Sequence, residues 1–287
     1  MDTAVLQALE KIRCPFLDVF FGIFTALGEE LIVAGIIAVI YICFSKRTGE
    51  QALLTVMTAS CITTGIKSAV RRLRPYANGV VSRVDIDNPF VSTVDLDADM
   101  SFPSGHATAT SGFFGTLAFR MKKTLWIVLS TVFILLVMLS RLYFGVHYPT
   151  DVLTGLAVGA VCATGWHFIY EKCYGARLYI YAGIALLTVP LLFIPRTATD
   201  STFQISAITL ATAAGLLIED RLIRFEDAKT WLHRLLRILI LGVCAGVPFL
   251  VFHFALPENQ WAEFFTLFFT LFSAMTLAPL LYKKLKI

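Results

Sequence analysis

Apolar residues gather along this chain in blocks of roughly 16 to 22, set apart by short charged stretches, and blocks of that size match the ~20 residues a helix needs to cross ~30 Å of hydrocarbon. Nine blocks are predicted as membrane helices: 25–44, 51–70, 104–119, 125–142, 152–170, 178–194, 203–218, 238–256 and 261–282. The start of the chain reads differently. Within residues 1–18, Leu6, Leu9, Ile12, Phe16 and Leu17 mix with Glu10, Lys11 and Arg13, which predicts an amphipathic helix lying in the membrane interface, not a cleavable signal peptide. The fold class expected is all-α: a polytopic integral membrane helical bundle of about nine helices.

Composition agrees. Hydrophobic residues make up 57% and charged residues 15%, with a mean hydropathy of +0.75, which excludes an ordinary soluble domain. The cysteines, at 14, 43, 61, 162, 173 and 244, form no CxxC pair and no metal-ligand cadence, and are expected to be buried thiols. The net charge of +4 says less than its distribution. Fifteen of the 24 Lys and Arg residues follow blocks one, three, five, seven and nine, from Lys46 and Arg47 to Lys283, Lys284 and Lys286. By the positive-inside tendency that side is cytoplasmic, with the N-terminus outside and the C-terminus inside. Lys67, Arg71, Arg72, Arg74 and Arg141 cluster instead at two block ends on the opposite face. Charge near the membrane boundary is costly enough to suggest a functional site, the alternative being side chains that snorkel to the interface as anchors.

Three segments share that face. In KSAVRRLRP, Lys67 and Arg74 are seven residues apart, two helical turns, so both are predicted to project from one face at the end of the second block, with Arg71 between them. Pro75 is expected to end that helix. In PSGH, Pro103 suits a first helical turn, Gly105 lets a ligand approach the backbone, and free N–H groups at the positive end of the helix make an anion site. Taken alone, His106 reads equally as an interfacial histidine. In SRLYFGVHYPTD, Ser140 and Arg141 close the fourth block, and His147 and Asp151 stand four apart where the fifth begins. At that spacing the carboxylate can hold Nδ1–H and leave Nε2 as base or nucleophile, and it can equally be a helix N-cap.

Together, K-x6-RP, PSGH and SR-x5-H-x3-D match without substitution the three signature motifs of the type 2 phosphatidic acid phosphatase superfamily, which the chain resembles over its first five blocks. TALGEELIV near the first block is similar to bacterial members. The topology is also similar to the glucose-6-phosphatase and sphingosine-phosphate phosphatase branches. The resemblance implies a membrane phosphatase core over residues 19–195 with an active-site loop at 76–102, preceded by the interfacial segment 1–18 and followed by additional helices over 196–287. It further implies that His147 attacks phosphorus, that Asp151 orients it and that His106 protonates the departing alkoxide. Lys67, Arg74 and Arg141 would then hold the phosphate with the backbone N–H groups of Ser104 and Gly105, and water would hydrolyse a phosphohistidine.

The expected activity is hydrolysis of a lipid phosphate monoester, such as phosphatidic acid or phosphatidylglycerol phosphate, on the extracytoplasmic face of a bacterial cytoplasmic membrane. Polyprenyl pyrophosphate, sphingoid and sugar phosphates stay open as substrates, and so do phosphotransfer to an acceptor lipid and a non-catalytic lipid transporter. The partners expected are the bilayer and the lipid phosphate, with no nucleic acid. No cofactor or metal is expected, since Asp85, Asp87, Asp95, Asp97 and Asp99 lack a ligand cadence. Their loop is long enough to cover the site in part. Glu29 and Glu30 either face the pocket or cap a helix. His167, His233 and His253 are read as structural, and Gly155 with Gly159 as a helix contact.

Overall fold

The structure, a computed structural model, describes residues 2–82 and 100–287. Each apolar block falls on a helix. In chain order these are α1 (Asp2–Glu10), α2 (Pro15–Leu27), α3 (Glu30–Val39, running on through a wider turn, Ile40–Phe44) and α4 (Lys46–Val70). There follow α5 (Gly105–Met121), α6 (Thr124–Tyr143), α7 (Pro149–Lys172), α8 (Arg177–Thr188), α9 (Asp200–Ile218), α10 (Trp231–Ala255) and α11 (Gln260–Leu285). Among the described residues seven helices are long and apolar enough to cross a membrane, and an eighth crossing results if α2 and α3 count as one span. α8 reaches that length only with the 3-10 turns flanking it, over Tyr174–Phe193, and α5, at 17 residues, falls short of it. The first block therefore differs from the uniform span expected at 25–44. It is preceded by a helix from Pro15 and bends by 52° where Gly28 and Glu29 separate α2 from α3. Gly28 has no room for a side chain there, because a Cβ would lie 2.7 Å from Val137 Cγ1.

The chain forms two compact units. The first, Met1–Ile36 with Ile62–His167, carries all three motifs. In it α2 packs on α6 through Phe21 and Tyr143, ring centroids 4.7 Å apart. The fully buried Leu6 of α1 packs with Val81 and Tyr148. α5 and α7 approach backbone to backbone: a Cβ on Gly155 would meet the Ser104 carbonyl at 2.5 Å, and one on Gly159 would collide with Ser111 Oγ and the Thr108 carbonyl. The GxxxG pair is thus a helix contact, as expected. His167 stacks on Phe119 at 4.6 Å.

In the second unit, Ile37–Cys61 with Phe168–Ile287, α11 packs against both α9 and α10, and Leu192, Phe203, Ala207 and Phe264 form a core. Some of its basic residues are internal ion pairs. Arg177 is buried with Nε 2.5 Å from Glu50 Oε1 and Nη2 2.6 Å from Asp220 Oδ1, and Lys46 Nζ lies 2.6 Å from Glu219. Charges at such depth require partners of this kind. Cys43, Cys162 and Cys244 are buried as expected. Cys14 and Cys173 are exposed instead, because they lie at helix junctions.

Candidate active site

The basic motif is arranged by a turn and not by a helix face. α4 ends at Val70, four residues before the position expected from Pro75, because Arg71 takes the left-handed conformation (φ 52°) and its N–H bonds the Lys67 carbonyl at 3.0 Å. Lys67 stays on the last helical turn, and Arg74 lies beyond it in a non-helical segment, donating from Nη1 to the Val146 carbonyl at 3.2 Å. That segment is tied to residues just before α5: Ser101 N–H donates to the Arg72 carbonyl at 2.8 Å, and Ser101 Oγ to the Leu73 carbonyl at 3.2 Å.

Ser104 is the N-cap of α5, its Oγ accepting the Ala107 N–H at 3.4 Å, so Pro103 stands outside the helix and not in its first turn. The Ser104 N–H donates to the Asp151 carbonyl at 3.0 Å. It is therefore committed within the protein, contrary to the expectation that it would join an anion cradle. Only the hydroxyl of this fully buried residue has a proton left to offer. Gly105 is needed for space, because Glu30 Oε1 presses where a Cβ would be. His106 follows, with Nε2 3.0 Å from Glu29 Oε2. Of the two readings of Glu29, facing the pocket is the one the geometry supports.

Arg141, at the end of α6, is 5% exposed and donates from Nη1 to Thr25 Oγ1 at 2.6 Å. The turn that follows passes through Gly145 at φ 65°, and delivers His147, 2% exposed, just ahead of α7. His147 Nδ1 lies 2.7 Å from the Ser101 carbonyl and 3.7 Å from Asp151 Oδ2. A carbonyl only accepts, so Nδ1 carries the proton and Nε2 the lone pair. The tautomer expected from the His147–Asp151 spacing is present, but the nearer partner is the backbone. Asp151 is the third residue of α7 and not its N-cap. Its Oδ2 accepts the Tyr148 N–H at 2.8 Å from inside the helix, and its Oδ1 accepts Arg72 Nη1 at 2.9 Å. Arg72 also donates to Thr150 Oγ1 at 2.7 Å and lies 3.7 Å over the Tyr148 ring. Sequence reading gave this arginine no separate role, since its contact with Asp151 joins residues 79 apart.

Burial, then the charges of Arg74, Arg141, Lys67 and His106, hold the His147 imidazole well below the ordinary histidine range, so the ring is neutral at pH 7. Lys67 and Arg74 from one motif and Arg141 from another therefore lie close enough for their charges to bear on the His147 ring, and Arg74 and Arg141 bear on His106 as well. Such a set can grip a tetrahedral oxyanion while presenting a lone pair to its centre. Among the described residues no three His, Cys, Asp or Glu side chains are grouped to hold a metal. Asp85, Asp87, Asp95, Asp97, Asp99 and most of the loop at 76–102 lie outside the described residues.

Known proteins share sequence with this chain. The family model of the PAP2 superfamily matches residues 50–174, and that of the PAP2 superfamily phosphatase transmembrane extension matches residues 203–287. The lipid A 4'-phosphatase of Porphyromonas gingivalis is 31% identical over 194 residues, 63% of this chain and 74% of that protein. The decaprenylphosphoryl-5-phosphoribose phosphatase of Mycobacterium tuberculosis is 38% identical over 103 residues, spanning 36% of this chain and only half of that protein's length. The phosphatidylglycerophosphatase B of Bacillus subtilis is 27% identical over 172 residues, 55% and 77% of the two chains. With its basic turn, its PSGH helix start and its buried His147 all inside the matched region, and a relative above 30% identity aligned over most of its length, this chain belongs to the PAP2 superfamily.

Proposed function

We propose that this membrane phosphatase removes the phosphate from a lipid phosphate monoester through a phosphohistidine on His147. Lys67, Arg74 and Arg141 bind the phosphoryl oxygens, with the Ser104 hydroxyl and Gly105 N–H beside them. Asp151 and the Ser101 carbonyl fix the attacking ring. In the first step a bond forms between Nε2 of His147 and phosphorus as the ester P–O bond breaks, and His106 gives its proton to the departing oxygen. In the second, water attacks phosphorus, His106 takes the water's proton, and the P–N bond breaks to release inorganic phosphate and neutral His147. Positioning and charge neutralisation are most of what phosphoryl transfer requires.

The observation that supports this best is that three cations bear on a neutral, buried His147 whose Nδ1 is held by a backbone carbonyl. The substrates named for the three relatives differ in headgroup but share a phosphate on a membrane-anchored lipid, and we extend that class to this chain. The pocket is proposed to face the extracytoplasmic side of a bacterial membrane, opposite the Lys- and Arg-rich loops, with the N-terminus on the pocket side. A panel of lipid phosphates, sugar phosphates and prenyl pyrophosphates, assayed with purified protein for phosphate release, tests the reading. Turnover of a lipid phosphate and an acid-labile phosphorus label that disappears in His147→Ala are expected. Full activity of His147→Ala would overturn it.

A further inference from the structure

The break between α2 and α3 brings two carboxylates to the first turn of α5. Glu30 Oε1 presses on Gly105, and Glu29 Oε2 lies 3.0 Å from His106 Nε2. The His106 side chain is 14% exposed and that of Glu29 38%, so the imidazole is largely enclosed while its carboxylate partner reaches outward. Besides Glu29 and the neighbouring Glu30, the charges that bear on this ring are positive: Arg141 and Arg74 act on it as like charges. In that company an imidazole sheds its proton unless a carboxylate at hydrogen-bonding distance balances the field.

We propose that Glu29 is a positioning residue for the acid step: its Oε2 accepts the Nε2–H of His106, fixes the ring, and supplies the counter-charge that favours the imidazolium against its burial and the nearby arginines. This rests on the reading of His106 as the acid that serves the leaving oxygen. With Nε2–H held by Glu29, the proton delivered as the ester P–O bond breaks is the one on Nδ1. The ring is then neutral, still bonded to Glu29, and Nδ1 is free to accept the proton of the attacking water in the second step. The cations beside His147 favour its neutral ring, while the Glu29 carboxylate beside His106 favours the charged one.

The test compares wild type with Glu29→Gln and Glu29→Asp on an alkyl phosphate, which needs protonation to leave, and on an activated aryl phosphate, which does not. In Glu29→Gln the basic limb of the kcat profile should move to lower pH by about one unit or more. The alkyl ester should slow about 10-fold at pH 7 and the aryl ester by less than about 2-fold. Glu29→Asp should restore most of the alkyl rate. The His106 ring signal, followed by NMR in protein carrying His147→Ala, should titrate lower in Glu29→Gln by the same amount as the limb moves. An unmoved limb, equal losses on both esters, or an unchanged His106 titration would each overturn the assignment. If Glu29→Gln melts early, the same comparison between Glu29→Asp and wild type decides: a smaller shift of the same sign supports the role, and none refutes it. The NMR titration needs no turnover. A wild type that releases no phosphate would therefore defeat the phosphatase reading while leaving the Glu29–His106 pairing separately decided.

Discussion

Replacing Asp151 by Asn separates two ways of holding the attacking histidine. In the structure His147 Nδ1 donates to the Ser101 carbonyl at 2.7 Å, while Asp151 Oδ2 stands back at 3.7 Å. If the carbonyl sets the tautomer, the amide leaves the Nε2 lone pair in place, and only the field of the carboxylate is lost. A unit charge at about 4 Å acts with about 4 kcal/mol at an effective dielectric constant of ~20. Arg72, 2.9 Å away on the other oxygen, offsets part of that. What remains, about 1.5–3 kcal/mol, corresponds to a rate of phosphohistidine formation lower by about 10- to 100-fold. Stability should fall as well. Asp151 is fully buried and accepts from both Tyr148 N–H and Arg72, and an amide must turn its NH2 toward one of those donors. Such a mismatch costs about 1–3 kcal/mol, a drop in Tm of roughly 2–10 °C. Single-turnover phosphate release and thermal melting of Asp151→Asn and wild type in one detergent measure both quantities. The double substitution Arg72→Gln with Asp151→Asn removes the facing charge and should recover about half of the stability loss. A rate loss of about 10⁴-fold with unchanged melting would refute the reasoning, because it would mean that the carboxylate and not the carbonyl sets the ring's tautomer.

Because His147 is held below its ordinary value near 6.5, the acid limb of kcat/KM for the free enzyme should lie below about pH 6, where the ring protonates. Stability follows the same sign: it is fully present above the unfolded histidine's value and lost as pH falls below it, which melting between about pH 7 and 4 checks. An acid limb above pH 7 would contradict the assignment. Gly159→Ala forces a methyl into Ser111 and the Thr108 carbonyl and should destabilise by about 1–3 kcal/mol. Gly165→Ala, also on α7 but with open space, should be neutral or stabilising by about 0.5–1 kcal/mol, and equal melting shifts for the two would count against close α5–α7 packing. Chelator treatment should leave phosphate release unchanged. Loss of activity restored by a divalent cation would require a metal site outside the described residues.

Much of this protein is written in local pattern. The length of the apolar blocks fixes the helices, because every backbone group inside a bilayer must be bonded within its own segment, and all nine blocks fall on helices. The chemistry-bearing residue types, Lys67, Arg74, His106, Arg141, His147 and Asp151, are equally legible, since each motif keeps its cations and imidazoles at helix ends. Partners across distance were not. The spacing of Lys67 and Arg74 suggests a shared helix face, yet a single left-handed residue, Arg71, ends α4 early and sends Arg74 along another path. The spacing of His147 and Asp151 suggests a dyad, yet the Ser101 carbonyl, 46 residues away, takes the nearer place and Asp151 turns to Arg72. Glu29 meets His106 only because the chain bends by 52° between α2 and α3. Periodicity and motif spacing describe neighbours along one helix. Which carbonyl or carboxylate completes a buried imidazole depends on how separate segments pack, and only the folded chain decides that.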